Sequence, residues 1–241
     1  MTETLIVSIL AASITAGTPI LFAALGELFA ERSGVMNLGV DGMMLVGAVT
    51  GFMLAVNTGN PWFGVLAALV SGALLALIHA CLTVTLRANQ VVSGLALTLF
   101  GTGLANYLGK SYVGMRIDSS FGKLAIPYLS DIPILGPVVF KQDILVYISY
   151  ILVAASAFFL YKMRAGLFLR AVGENPAAVD SVGINVFRLR YLYVMLGGAL
   201  AGLGGAYLSL AYAPSWLENM TAGRGWIAVA LVIFALWDPW R

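Results

Sequence analysis

Charged residues are scarce in this sequence of 241 residues. Only 10% of its residues are charged, and 61% are hydrophobic, whereas an ordinary soluble domain is about one quarter charged and about half apolar. A soluble fold leaves much of its surface in water and has no means of hiding this much apolar surface. The composition therefore excludes an ordinary soluble domain and predicts an integral membrane protein.

Cysteine and histidine are nearly absent, with one of each, Cys81 and His79, in the same apolar run. One cysteine cannot close an internal disulfide, and one thiol does not make a metal site. No other residue is spaced to complete a metal site or a nucleophile–base pair, and the GxxxxGK(S/T) phosphate loop is missing. The sequence predicts no metal, no cofactor and no catalytic residue. The net charge of +2 is too small to indicate nucleic acid.

Long apolar runs dominate what is present. A span of the hydrocarbon core takes about 20 mostly apolar residues, and six runs reach roughly that length. They are Leu5–Ala30, Val35–Val56, Trp62–Leu86, Val91–Leu108, Ile144–Tyr161 and Tyr191–Tyr212. A last run, Trp226–Trp237, is shorter. We expect one all-α domain over residues 1–241, a polytopic transmembrane helical bundle of about seven spans, with one helix broken or re-entrant. The N-terminus lacks the basic start of a secretory signal, so we expect the first run to be retained.

The orientation of the chain in the membrane follows from the charges of the loops that connect its spans. The 162–190 loop carries five basic residues against two acidic ones, and positive charge marks the cytoplasmic side. We therefore expect this loop inside the cell. The alternation of spans then places the 109–143 loop outside, as an ordered extramembrane segment with room for a re-entrant part. Trp216, in the following outer connection, is expected at the membrane interface.

The sixth run is rich in glycine. Gly198 and Gly202 form a GxxxG pair, and Ala201 with Gly205 repeats the same spacing. Small residues at this spacing let helix backbones approach closely in lipid. The pattern favours tight helix packing at Gly198, Gly202 and Gly205, and the alternative is the general tolerance of membrane helices for glycine.

Polar residues within or beside apolar runs are candidates for a solute pathway, because burying them in a membrane is costly. Asn37 and Asp41 lie in the glycine-rich stretch 27–42. That stretch is either a broken helix lining a pathway or a structural hairpin at the cytoplasmic surface. For Asp41 alone a structural hydrogen-bonding role is favoured. Ser93 and Asn106 of the fourth run are further candidates, and Asn89 with Gln90 is expected to cap that helix.

A short helix is predicted inside the 162–190 loop. Asn175 suits an N-cap and Pro176 the first helical position, and Gly183 suits a C-terminal stop. The helix would have about two turns, with the small residues Ala177 and Ala178 leaving room for close contact. It is either a surface connector or an element that a soluble motor can grip.

Four segments together resemble a known family. They are Gly26–Leu28 with Gly34–Met43, Ala88–Gly94, Ala171–Ala178 with Gly183–Asn185, and Gly223–Trp226. These segments resemble permease subunits of bacterial ABC importers related to ribose and simple-sugar permeases, and most of all the nucleoside-type permeases. Family members usually continue with a further glycine-rich helix, so the chain is expected to be C-terminally short.

The resemblance implies a multi-pass subunit of the bacterial cytoplasmic membrane, surrounded by lipid, that imports nucleosides or simple sugars. It implies a second permease chain, the same or different, two cytoplasmic ATPase subunits and an extracytoplasmic solute-binding lipoprotein. The coupling contact to the ATPase would use Glu174, Asn175, Pro176, Ala177, Ala178 and Gly183.

Two other functions stay open on the residues alone. An autonomous secondary transporter or channel would also form a polar pathway, but such proteins often place an ionisable residue at the midplane for ion coupling, and little beyond Asp41 is available. An integral membrane enzyme is disfavoured because no catalytic constellation exists. Dependence of uptake on a separate ATPase would discriminate between these functions.

Overall fold

The structure is a computed structural model that describes residues 2–117 and 120–241, with side chains from residue 5 onward. Within those ranges the chain forms ten α-helices and one two-stranded antiparallel sheet. The helices are α1 (Thr2–Arg32), α2 (Val40–Thr58), α3 (Pro61–Ala80), α4 (Gln90–Gly109), α5 (Leu135–Val139), α6 (Ile144–Lys162), α7 (Arg164–Glu174), α8 (Pro176–Ser181), α9 (Val186–Tyr207) and α10 (Arg224–Phe234). The antiparallel strands are β1 (Lys123–Ala125) and β2 (Lys141–Asp143).

Six of the described helices are long and apolar enough to cross a membrane, and α10 is a shorter apolar helix. Helices α3 and α9 each continue into a π-helical turn, Cys81–Thr85 and Leu208–Tyr212. The expected polytopic helical bundle is confirmed, with six candidate spans and the shorter α10 where about seven spans were expected. Two starts were wrong by five residues. The second span begins at Val40 and not at Val35, and the sixth begins at Val186 and not at Tyr191. Below, the inner end of the bundle is the one that carries the 162–190 loop, and the outer end is the one that carries the 109–143 loop.

Helix α9 is the centre of the bundle, with α1, α2 and α3 packed around it. Its glycines make this possible, because they face the backbones of all three neighbours. Gly197 lies against Gly26 of α1, Gly198 against Gly72 of α3, and Gly205 against Met44 of α2. A Cβ at any of these positions would collide with a neighbouring carbonyl oxygen. The close packing predicted from the GxxxG spacing is what α9 uses.

The other spans lie around this core. Helix α4 packs on α2, α10 packs on α1 and α2, and α6 packs on α1 and α7. Aromatic rings fill the junction between α1, α6 and α9. The ring centroids of Phe29, Phe159 and Tyr193 lie 5.8 to 6.3 Å from one another. Ring contacts of this kind add packing energy beyond the area that they bury.

Two stretches of irregular backbone enter the bundle from opposite ends. Residues 33–39 run from the inner end of α1 to the start of α2, and residues 213–223 run from the outer end of α9 to the start of α10. Gly42 packs against Leu97 and Gly101 of α4. Gly101 lies eleven residues beyond Gln90, the first residue of α4. The contact with Gly42 is therefore about 16 Å from the inner end of a helix that is about 30 Å long. Both α2 and α10 therefore begin near mid-depth.

The outer connection differs from its sequence-based description at one residue. Trp216 was expected at the membrane interface, but its side chain is fully buried. Its ring packs directly against Gly109, where a side chain would leave no room for it. Isolated β-bridges join Val113 to Trp216 and Arg116 to Ser215. The re-entrant chain is held against the end of α4, so Trp216 is an internal packing residue and not an interface anchor.

Candidate functional site

The inner irregular segment is held by buried hydrogen bonds. The backbone N–H of Asn37 donates to Glu27 Oε1 at 2.8 Å, and the backbone N–H of Gly39 donates to Asn37 Oδ1 at 2.9 Å. Glu27 and Asn37 are each 1% exposed. Gly34 turns the chain with φ +82°, a conformation that glycine adopts without strain. Freed backbone groups at this depth are thus satisfied inside the protein, as the membrane requires.

His79 joins this segment to α4. Its Nε2 lies 3.0 Å from the Met36 carbonyl oxygen, and its Nδ1 lies 3.0 Å from Ser93 Oγ. A carbonyl can only accept, so Nε2 donates to Met36 and the other ring nitrogen is left to pair with the hydroxyl. Gln90 Oε1 accepts from Met36 N at 2.9 Å. Sequence reasoning saw His79 only as an isolated residue, and the spacing between Met36, His79 and Ser93 carries no signal for this bridge.

The two mid-depth helix starts meet at Asp41. Its Oδ1 accepts from Gly225 N at 2.9 Å, and its Oδ2 accepts from Thr221 Oγ1 at 3.1 Å. A negative charge is favoured near helix N-termini, where unpaired amides point outward. Asp41 stands in the first turn of α2 and binds the first turn of α10. These bonds agree with the structural role that the sequence favoured for Asp41.

Beyond this point the outer irregular segment makes a strained turn. Asn219 and Ala222 have φ of +53° and +48°, values that L-residues rarely adopt. Asn106 Nδ2 donates to Asn219 Oδ1 at 3.4 Å. The Arg224 guanidinium donates to the carbonyl oxygens of Met220 and Thr221 and lies over the Tyr212 ring. Strain held by several contacts in this way is typical of functional sites.

The four pathway candidates do not form one cluster. Asn37 and Ser93 belong to the network around Met36, Asp41 joins α2 to α10, and Asn106 contacts the outer turn. The side chains of Asn37, Asp41 and Ser93 have partners within the protein. Asn106 differs, because its Oδ1 is buried and has no hydrogen-bond partner among the described residues.

The predicted short helix in the 162–190 loop is present as α8. Asn175 Oδ1 accepts from Ala178 N at 3.1 Å, and Pro176 takes the first helical position. Gly183 follows the helix with φ +82°, and its amide donates to Asp180 O at 2.9 Å. The residues Glu174, Asn175, Ala177, Ala178 and Gly183 are exposed, whereas Val179 is buried. The helix therefore presents one face outward.

The loop is anchored to the bundle by packing and by hydrogen bonds. Val172, Val179 and Val186 form a small apolar core that joins α7, α8 and α9. Gly173 lies against the Arg32 carbonyl at the end of α1, and Arg190 Nε donates to Ser33 O at 3.1 Å. The anchor thus touches the start of the inner irregular segment.

A cavity of about 360 Å³ lies beside α8, between it and the end of α3. Arg87 and Arg190 line it together with Ala177, Asp180 and Phe187. The arrangement offers two cationic groups and an apolar wall. For metal chemistry the described ranges contain no group of three or more His, Cys, Asp or Glu residues that could hold an ion.

The matching family model and the related sequences are all described as permeases of transport systems. The family model described as "Branched-chain amino acid transport system / permease component" matches residues 9–241. The putative glucose ABC transporter permease protein TsgC13 of Haloferax volcanii is 46% identical over 97% of this chain and 72% of its own length. The guanosine ABC transporter permease protein NupQ of Bacillus subtilis is 38% identical over 96% of this chain and 76% of its own.

The nucleoside ABC transporter permease protein NupC of Lactococcus lactis is 38% identical over 92% of this chain and 73% of its own length. No solved structure matches the chain.

Proposed function

Since this chain belongs to the family of permease components of the branched-chain amino acid transport type, we propose that it moves nucleosides, or else simple sugars, as the permease subunit of an ABC importer. It is a multi-pass membrane protein and a transport component, not an enzyme. The relatives described above are named for glucose, guanosine and nucleosides. These solutes share a neutral, hydroxyl-bearing structure, and that shared chemistry motivates the choice.

The observation that carries the coupling part of the proposal is α8. It is a short capped helix with exposed small residues, and it is anchored to α7, α9 and the inner end of α1. A cytoplasmic ATPase would bind this helix and would displace the inner irregular segment through the hydrogen bond between Arg190 and Ser33. The residues of the contact would be Glu174, Asn175, Pro176, Ala177, Ala178 and Gly183. An ATPase can drive the pathway only through contacts that differ between its own states.

The remaining partners follow from the family. Two permease chains would pair, identical or different, two ATPase subunits would bind beneath them, and an extracytoplasmic solute-binding lipoprotein would deliver the solute. The complex would lie in the bacterial cytoplasmic membrane. The pathway candidates Asn37, Asp41, Ser93 and Asn106 would act in two ways. The first three would shape its wall through internal hydrogen bonds, and Asn106 would face the solute.

The test is reconstitution of the permease with its ATPase and solute-binding partner in liposomes. Guanosine should stimulate ATP hydrolysis and should accumulate only when ATP is present. Uptake that proceeds without the ATPase would overturn the coupling part in favour of an autonomous transporter. Stimulation by leucine alone would overturn the solute class.

A further inference from the structure

Two glutamates lie one helical turn apart at the inner end of α1. Glu27 is 1% exposed, and Glu31 is half-buried. Residues four apart on a helix point to the same side, and these two side chains are close enough to form a hydrogen bond with each other. Two carboxyl groups are thus brought together inside a membrane domain, where ionisable groups are costly and mark functional sites.

Each of these carboxyl groups has one oxygen in use and one oxygen without a donor. Glu27 Oε1 accepts from the backbone N–H of Asn37 at 2.8 Å, and Glu31 Oε2 accepts from Trp237 Nε1. The other two oxygens, Glu27 Oε2 and Glu31 Oε1, are buried and have no donor among the described residues. Ionised carboxylates can only accept hydrogen bonds, so two anions cannot satisfy each other. One shared proton makes one group a donor and gives both oxygens a partner.

The other charged groups around the inner end act elsewhere. In the described part of the chain neither glutamate has a cation within 4.0 Å. Arg32 and Arg190 donate to backbone carbonyl oxygens, and Asp41 accepts from the start of α10. The remaining titratable side chains of the surrounding elements contact other residues, and they are His79, Arg170, Tyr193, Asp238 and Arg241. A proton is therefore the cation that the pair lacks.

The glutamate pair also joins three parts of the inner end. Through Asn37 it holds the inner irregular segment, and through Trp237 it holds the chain that follows α10. Arg32, the next residue of α1, donates to the carbonyl oxygen of the same tryptophan. Without a proton, two negative charges would lie side by side in a poorly solvated site, where like charges repel strongly. Moving the two side chains apart would weaken the contacts that they make.

We propose that Glu27 and Glu31 form a proton-binding site, in which one proton is shared between Glu27 Oε2 and Glu31 Oε1 and keeps α1 bound to the inner irregular segment and to the chain after α10. The site is a proton-dependent latch, and it goes beyond the proposed function because it involves no solute. Glu31 is partly exposed, so the proton can exchange with water through it. Since the two groups titrate together, the proton belongs to the pair and not to either glutamate.

Infrared spectroscopy of the full chain in detergent tests for the proton. A protonated carboxyl group has a carbonyl band that is separate from the bands of an ionised carboxylate and that shifts in heavy water. The parent should show this band at neutral pH. Glu27→Gln and Glu31→Gln should each lose it, because the glutamine amide donates in place of the proton and the remaining glutamate ionises.

Glu218→Gln makes the same exchange at an exposed position and is the matched control, which should keep the band. A parent without the band, or a band that survives in both Glu27→Gln and Glu31→Gln, would overturn the proposal.

The pH dependence of stability gives an independent measure. A glutamate of an unfolded chain is ionised above about pH 4.3, so at neutral pH the folded protein would hold one proton more than the unfolded chain. Stability then falls as the pH rises, by about tenfold in the unfolding equilibrium constant per pH unit, until the folded pair has lost its proton.

Glu31→Gln needs no proton and should lack this slope, so the difference between the two profiles separates the pair from other titrating groups. Glu218→Gln should follow the parent. Parallel profiles for the parent and Glu31→Gln would overturn the proposal.

Hydrogen exchange tests the latch itself. Above the pH at which the infrared band disappears, peptides that cover residues 33–39 and 236–238 should exchange faster in the parent than in Glu31→Gln. Below that pH the two proteins should exchange alike, and peptides from α4 should exchange alike throughout. Equal exchange of residues 33–39 at every pH would show that the proton does not hold this segment and would overturn the latch.

Discussion

The Asp41 carboxylate accepts a hydrogen bond from the Gly225 amide at 2.9 Å, so one side chain joins the first turns of two helices that run to opposite ends of the bundle. The approach is close, because a Cβ on Gly225 would lie 2.5 Å from Asp41 Cα. The contact therefore needs both a carboxylate on α2 and a glycine on α10.

Replacing this carboxylate should destabilise the fold. Asp41→Asn removes the charge that favours both helix starts and turns one acceptor into a donor that faces Thr221 or Gly225. We expect a loss of about 1–3 kcal/mol in the free energy of unfolding in detergent. Thr221→Val removes only one hydrogen bond and should cost about 0.5–1.5 kcal/mol. An Asp41→Asn protein as stable as the parent would contradict the role of the carboxylate.

The helix contact at Gly202 offers a test of packing. A Cβ there would collide with the Ala68 carbonyl of α3, whereas a Cβ at Gly103 would enter open space. Gly202→Leu should abolish recovery of monodisperse protein, and Gly103→Leu should not, since a large side chain cannot enter a close backbone contact. Gly59, at the outer turn, has φ +68°, so Gly59→Leu would be strained by its own backbone and cannot serve as the control. Equal recovery of the two variants would contradict the packing.

The His79 bridge should matter for the inner irregular segment. His79→Phe keeps the ring volume but removes the bonds to Met36 and Ser93. It leaves the Met36 carbonyl with one partner fewer, and we expect a loss of about 1–3 kcal/mol in unfolding free energy. Ser93→Ala removes only the second bond and should cost less. A larger loss for Ser93→Ala than for His79→Phe would show that the bridge to Met36 contributes little.

Membrane orientation can be read from single cysteines in a Cys81→Ser background. Ser181, at the end of α8, and Ser120, in the 109–143 loop, are both exposed, and Ser119 beside it lies outside the described residues. Ser120→Cys should react with an impermeant thiol reagent added to intact cells. Ser181→Cys should react only after the membrane is opened, because basic loops stay cytoplasmic. Reaction of Ser181→Cys in intact cells would reverse the topology.

Coupling to the ATPase can be tested at the exposed face of α8. Ala178→Trp adds bulk at that face, and Glu174→Arg reverses a charge beside it, while both leave the spans untouched. ATPase binding should weaken, and ATP hydrolysis should no longer drive guanosine uptake. Asp131→Arg, an exposed charge reversal at the outer end, is the matched control and should retain both. Parent-like binding and uptake in both α8 variants would contradict the coupling assignment.

Local signals predicted part of this arrangement well. The N-cap at Asn175, the proline at position 176 and the stop at Gly183 appear as expected, because each acts through hydrogen bonds within a few residues. Asn89 caps the fourth span as expected, whereas Gln90, expected to share in the cap, is the first residue of the helix. Trp216 was misplaced, since the preference of tryptophan for interfaces is an average that the packing against Gly109 overrides here.

By itself the sequence determined that the chain crosses a membrane, roughly where its six long helices lie and where the short helix of the charged loop begins and ends. These features depend on the transfer of apolar segments from water and on bonds between near neighbours. Only the tertiary structure decided that two irregular segments meet at mid-depth. Asp41 and Gly225 are separated by 184 residues, and no periodicity or spacing encodes a contact between backbones that become neighbours only when α2 and α10 pack together.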